Sequence, residues 1–298
     1  MCMIGKYIDP FTDFGFKRIF GNEKHKNLLI SFLNDLLDIK YPIVDIEYKN
    51  LEKLGLNLAD RKAVLDVYCK DSKNNRFIVE LQRAKQNFFK DRSLYYTSFV
   101  IQEQAERGDW NYQLDPIYFI GILEFSLDST NDKYLTKVQL CDTAEKKVFY
   151  DKLTYYYIEM PKFNKDEKEL KNHLEYWLYF MKNAAKLETI PQTLQKDKNL
   201  KEAFDMANFL ALSPDEQFAY QMDMKARNDY KNTLDTALEE GRKEGLKEGL
   251  KEGRQEGLKE GEKKAKIEIA KKLLSQGLDN QTIQNITELS IDEIKELK

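Results

Sequence analysis

Residues 63–82 read AVLDVYCKDSKNNRFIVELQ, two apolar runs of alternating character joined by a polar stretch. Period-two alternation places Val64, Asp66 and Tyr68 on one face of a first strand, and Ala63, Leu65, Val67 and Cys69 on the other. Residues 71–75 (DSKNN) are a cluster of turn formers. On the second strand Ile78, Glu80 and Gln82 share a face, with Phe77, Val79 and Leu81 opposite. A turn centred near Lys73 and Asn74 folds position 66 back beside position 80, so two acids meet across a hairpin, each inside an apolar run. An ionised carboxylate in such a run is costly unless it finds a cation or donors, and two together repel. A hard divalent ion, Mg²⁺ (or Mn²⁺), resolves both costs, because it takes carboxylates together with waters and substrate phosphates. The competing reading is a half-exposed hairpin on which Asp66 and Glu80 face solvent with lysine partners.

Around this hairpin the chain reads as an α/β fold with a mixed central sheet. Phe16, Phe20, Leu28, Leu29, Phe32, Leu33 and Leu36 recur at helical intervals, broken at Gly21 and Asn22, and predict helices over about 13–20 and 24–37 lying on the sheet. Asp13 is most simply the N-cap of the first. Residues 43–51 alternate as a first strand, and 54–60 form a loop into the hairpin. Arg61 and Lys62 stand just before the Asp66 strand, as solvated charges or as clamps for a bound phosphate. Residues 87–107 predict a helix with Phe88, Tyr95, Phe99 and Gln102 on one side and Arg92, Tyr96 and Glu103 adjoining. Such an aromatic stripe is expected to face the core, with a binding platform as the alternative, and Arg92 within it needs an anion, either a carboxylate or a phosphate. Residues 115–125 (DPIYFIGILEF) fit a fully buried central strand, and 134–141, 148–150 and 154–160 fit further strands. The order α-β-β-β-α-β, with extra strands after it, suits one mixed sheet closed at Pro161.

The hairpin spacing D-x₁₃-E-x-Q resembles the PD-(D/E)XK nuclease core, in the variant with Gln in place of the motif lysine. The segment 11–21 (FTDFGFKRIFG) resembles the opening signature of the Rpn-type recombination-promoting nucleases, also described as PD-(D/E)XK family transposases, and so does 89–96 (FKDRSLYY). The resemblance covers roughly residues 5–160 and recurs in the tail. It implies metal-dependent DNA cleavage that promotes recombination. Asp66 and Glu80 would hold the ion, with the backbone carbonyl of Leu81 completing the set. Gln82 would stand at the lysine position, where it can orient water but is a poor proton acceptor. Asp13, Lys17, Lys62 and Arg92 would be supporting or DNA-contacting residues.

Residues 165–235 change character. An amphipathic helix over 169–182 carries Leu170, Leu174, Trp177, Leu178 and Met181 on one face, and 197–212 and 214–230 predict two more, the last opened by Pro214 and Glu216. From about 236 a repeat takes over: Gly241, Gly245, Gly249, Gly253, Gly257 and Gly261 recur every four residues, each preceded by a glutamate. Lysines three residues after a glutamate favour a helix, whereas each glycine opposes it by about 1 kcal/mol. Four residues turn through about 400°, so the glycine ridge drifts round the helix by about 40° per repeat. A long, marginal helix that dimerises is expected, and a flexible charged linker is the alternative. Residues 264–298 regain a core pattern, with a stop at Gly277, a short helix over 279–287 and a start at Ser290. This helix-turn-helix-like pattern also resembles the Rpn-type tail, but its last piece, IDEIKELK, is balanced in charge and not basic, so a small docking or dimer module is the alternative to DNA reading. The expected divisions are therefore 1–162, 163–235, 236–263 and 264–298.

Composition narrows the functions. The 298 residues carry a net charge of −3, so contact with DNA must come from a local patch. Three dispersed cysteines and two histidines exclude a zinc framework and a disulfide scaffold, and fit a reducing cytoplasm. No apolar run approaches the roughly 20 residues of a membrane span, so no membrane partner is expected. The expected partners are DNA and a second copy through the tail. An RNase H-type transposase places its acids on separated elements, not on one hairpin. A glycosidase would bring sugar-stacking motifs that this chain lacks. The remaining rival is a catalytically inactive nuclease fold that binds DNA or assembles through its tail.

Overall fold

The computed structural model describes residues 5–49, 66–85, 87–105, 108–127 and 129–297. They divide into two packed units, one through Arg227 and one from Asn228.

In the first unit the elements run α1 (Asp13–Phe20), α2 (Lys26–Leu36), β1 (Ile46–Tyr48), β2 (Val67–Asp71), β3 (Arg76–Gln82), α3 (Phe89–Gln102), β4 (Ile117–Leu123), β5 (Leu135–Asp142) and β6 (Lys147–Glu159). After them come α4 (His173–Asn183), α5 (Gln192–Gln195), α6 (Lys198–Ala207) and the start of α7 (Pro214–Ser275). The six strands form one mixed sheet in the order β1-β2-β3-β4-β6-β5, with β3, β4 and β6 parallel at its centre and the outer pairs antiparallel. The β3–α3–β4 crossover puts α3 on one face, as parallel neighbours require.

Alternation sorts the side chains. Val67, Cys69, Phe77, Val79, Ile120, Ile122, Tyr156 and Ile158 join the core formed with α1, α2, α4 and α6. Tyr68, Ile78, Phe119, Leu123, Tyr155 and Tyr157 join Phe89 and Val100 of α3 in a second core on the other face. On the first face Trp177 is fully buried, its ring 5.6 Å from Phe20 and 6.4 Å from Phe32. Burying each such side chain contributes roughly 2–3 kcal/mol. The helices of residues 165–212 thus complete the same core that α1 and α2 begin.

Four details differ from the sequence-based expectations. The first strand is short because the Asn34 amide accepts from Ile43 N at 2.8 Å and donates to Ile43 O at 2.9 Å, which takes that residue out of the ladder. Residues 148–150 and 154–160 are not separate strands; β6 runs through Asp151–Lys152–Leu153, with its partner β5 shifting register around Leu140. Asp13 is not the N-cap of α1: Thr12 is, its Oγ1 accepting from Gly15 N at 2.9 Å. The aromatic stripe of α3 is not its core face. That face is Phe89, Ser93, Thr97 and Val100, while Phe88 and Tyr95 are exposed. Ser93 and Thr97 tolerate burial because their hydroxyls bond Tyr157 Oη at 2.7 Å and Tyr155 Oη at 2.8 Å.

In α7 the expected helix over 214–230, the glycine repeat and the apolar stretch 267–274 are one uninterrupted helix. The second unit gathers Ala270 of α7 with Ile283 of α8 (Asn280–Thr287), Leu289, and Ile294 of α9 (Ile291–Glu296). Gly277, at φ +83°, turns the chain out of α7. Asp279 caps α8, and Ser290 with Glu293 makes a capping box for α9.

Candidate active site

The β2–β3 register, Val67 opposite Val79 and Tyr68 opposite Ile78, carries on to set Asp66 against Glu80. Their contacts interlock. Asp66 N donates to Glu80 Oε1 at 3.1 Å, and Leu81 N donates to Asp66 Oδ2 at 2.7 Å. Glu80 is 2% exposed and faces α3, since it shares that side of the sheet with Ile78 and Gln82. Its parallel neighbour on β4 is Gly121, where an added Cβ would lie 3.3 Å from Tyr157 and 3.5 Å from Phe89.

Arg92 of α3 reaches back over this row. Its Nη1 donates to Gln82 Oε1 at 3.0 Å, its Nη2 stands 3.4 Å from Glu80 Oε2, and its Nε donates to Tyr96 Oη at 2.9 Å. Gln82 Nε2 donates to Ala84 O at 3.1 Å, so both ends of that amide are fixed. Asp13 and Lys17 of α1 form an ion pair at 2.8 Å.

The electrostatics bind these groups into one site. Burial pushes the Glu80 carboxyl well above the ordinary carboxylate range; the charge of Asp66 adds to this, and Arg92 and Lys17 oppose it. Burial also raises Asp66, against the Leu81 N–H, with Asp13 raising it further and Lys17 and Arg92 pulling it down. Lys17 is lowered by burial, but its bond to Asp13 and the charges of Asp13, Asp66 and Glu80 outweigh that and raise it. Asp66, Glu80, Gln82, Leu81 and Arg92 therefore meet by direct contact, and Asp13 and Lys17 lie within electrostatic reach. Lys62 and Arg61 fall outside the described residues.

A buried carboxylate (Glu80) beside a half-buried one (Asp66) would fit a divalent cation, which would relieve the burial and repulsion that raise both groups. Among the described residues no group of three or more His, Cys, Asp or Glu side chains gathers for a metal. The groups here that could hold such an ion are this acid pair and a backbone carbonyl, hard oxygen donors of the kind that suit Mg²⁺ or Mn²⁺.

A second layer, which the sequence did not signal, braces the site. Arg83, next to Gln82, pairs with Asp223 of α7 at 3.3 Å, and Asp223 Oδ2 accepts from Phe14 N at 2.9 Å. Arg227 bridges Asp9 and Glu124, the latter at 2.7 Å, and Tyr220 Oη accepts from Asp9 N at 2.9 Å. These partners lie some hundred to two hundred residues apart, beyond any local pattern; Arg83 and Asp223, for example, are separated by 140 positions. A cleft of about 480 Å³ opens beside them, lined in part by Asp13, Lys17, Arg18 and Asp223.

A mixed sheet with paired acids on an antiparallel hairpin and a helix crossing to the next strand defines the PD-(D/E)XK class. Residues 10–237 match the family model described as PD-(D/E)XK nuclease family transposase, and residues 263–298 match the Rpn/YhgA-like nuclease family, C-terminal HTH domain. The chain belongs to the PD-(D/E)XK nuclease family transposases, with an Rpn-type C-terminal helix-turn-helix domain. No curated protein and no solved structure matches it.

Proposed function

We propose that the protein is a divalent-metal-dependent DNA endonuclease, cutting phosphodiester bonds in the service of DNA recombination. The observation that carries this reading is the interlocked Asp66–Glu80 pair, half-buried and buried respectively, with Arg92 bridging Glu80 to Gln82. Asp66 and Glu80, with the Leu81 carbonyl, would hold the ion. When bound, the ion would supply Lewis-acid polarisation of the phosphate and a lowered water pKa.

The chain's own residues do the rest. The Leu81 N–H fixes the Asp66 carboxylate on its hairpin. Arg92 balances the charge of Glu80 and orients the Gln82 amide, which is locked between Arg92 and Ala84 and positions by hydrogen bonding. Lys17 places a cation at the rim of the site, and Lys62 would add another.

The helix-turn-helix domain supports DNA as the partner. Self-association through α7 is supported by its glycines, where an added Cβ at Gly245, Gly249 or Gly253 meets nothing within 4 Å, and by the exposed Leu246, Leu250 and Leu258. On this reading 236–263 is the spacer between the cutting unit and the 264–298 module. No helix among the described residues is long and apolar enough to cross a membrane. Free thiols at Cys69 and Cys141 are compatible with a cytoplasmic site of action.

Nicking of supercoiled plasmid tests the proposal. Wild-type protein is expected to nick with Mg²⁺ and not with EDTA, and folded Glu80→Ala not to nick. Equal nicking by both proteins would move the chemistry off the hairpin. DNA binding by both, with nicking by neither, would favour the inactive assembly protein.

A further inference from the structure

Helix α3 is built the opposite way round from an ordinary surface helix. Between Phe89 and Val100 its inward face uses the small hydroxyls of Ser93 and Thr97, while large rings stand on its outward face. Phe88 is 78% exposed and Tyr95 49% exposed. Tyr95 stands edge-on to Phe99, with ring centroids 4.8 Å apart, and 6.4 Å from Tyr96. Phe88 also holds a left-handed backbone, φ +64°, which a bulky side chain rarely adopts, while its carbonyl accepts Arg92 N at 2.9 Å in the first turn. This exposed ring stands one helical turn from the arginine that contacts Glu80 and Gln82. The exposed Lys85 precedes it in the chain.

We propose that the outer face of α3, with Phe88 and Tyr95 at its centre, is a stacking platform for unpaired nucleobases, so that the preferred substrate carries a single-stranded segment beside the cut. The placement of the cut rests on the nuclease reading above; the platform itself does not. The rings continue directly from Arg92, so a strand with a phosphate at Asp66 and Glu80 would lay its neighbouring bases along α3. Lys85, beside the entry to α3, matches the charge of its backbone. Bases inside a duplex already stack on one another, whereas unpaired bases offer free faces to aromatic side chains.

The test is binding of the full-length protein, in EDTA so that no strand is cut, to a forked DNA carrying 2-aminopurine in its single-stranded arm and to the matching full duplex. The wild-type protein is expected to quench the arm reporter and to bind the fork more tightly than the duplex. Phe88→Ala and Tyr95→Ala should each weaken fork binding about tenfold while leaving duplex binding unchanged. Phe88→Trp should retain it. Both residues are exposed, so circular dichroism should show unaltered folding. Fork binding by both alanine variants at wild-type strength, or equal weakening on fork and duplex, would overturn the proposal. A change in the sedimentation of the DNA-free variants would also overturn it, since the face would then be a contact between protein chains. Absence of nicking by wild-type protein would count against the nuclease reading alone, because this binding needs no cutting.

Discussion

At the scale of the residue, Glu80 is held in the wrong medium for its charge. Burial and the neighbouring Asp66 raise its pKa from 4.5 to about 8. A raised carboxylate makes the folded state bind protons more tightly than the unfolded state. Its contribution to stability is therefore full below about 4.5 and is lost as pH rises towards about 8. Melting in EDTA should accordingly show a falling Tm across that window, and Mg²⁺ should restore it, most strongly at the alkaline end. Glu80→Gln should flatten both effects. Gly15 makes a different demand. An added Cβ would lie 2.3 Å from Asp9 O and 2.7 Å from Thr12 Oγ1, so Ala, normally the better helix former, has no room. Gly15→Ala should destabilise the first unit by roughly 1–3 kcal/mol and Thr12→Ala by about 1 kcal/mol, read from denaturant midpoints.

At the scale of the element, the hairpin was legible because strand alternation and turn chemistry are local: Asp66 opposite Glu80, and Glu80 and Gln82 on one face, follow from residues 66–82 alone. The caps at Asp279 and Ser290 and the stop at Gly277 were legible for the same reason. Helix α3 was not, because the rule that rings face inward assumes no inward use for Ser93 and Thr97. Their use depends on Tyr155 and Tyr157, some sixty residues further on. Asp13 lost the capping role because Thr12, one residue earlier, had the better-placed hydroxyl. For α7, glycine in an isolated helix costs about 1 kcal/mol each relative to alanine. Gly245→Ala combined with Gly249→Ala should raise the helicity of the monomer. If the glycine ridge seats a second copy, the same pair should weaken self-association in sedimentation equilibrium.

At the scale of the whole molecule, the sheet's site end depends on residues far along the chain. Arg227 pairs with both Asp9 and Glu124, and Asp223 ties Arg83 to the first turn of α1. Removing one partner leaves part-buried carboxylates uncompensated, so Arg227→Ala should cost about 2 kcal/mol in urea unfolding. The family match likewise extends to residue 237, past the last strand at Glu159. The central claim is that the acid pair on the hairpin holds the divalent ion. It is tested most directly by titrating the full-length protein with Mn²⁺ and following the free ion by electron paramagnetic resonance. The account predicts saturable binding that Mg²⁺ competes away, and its loss in both Asp66→Asn and Glu80→Gln with each variant still folded. Unchanged Mn²⁺ binding in both variants would contradict it.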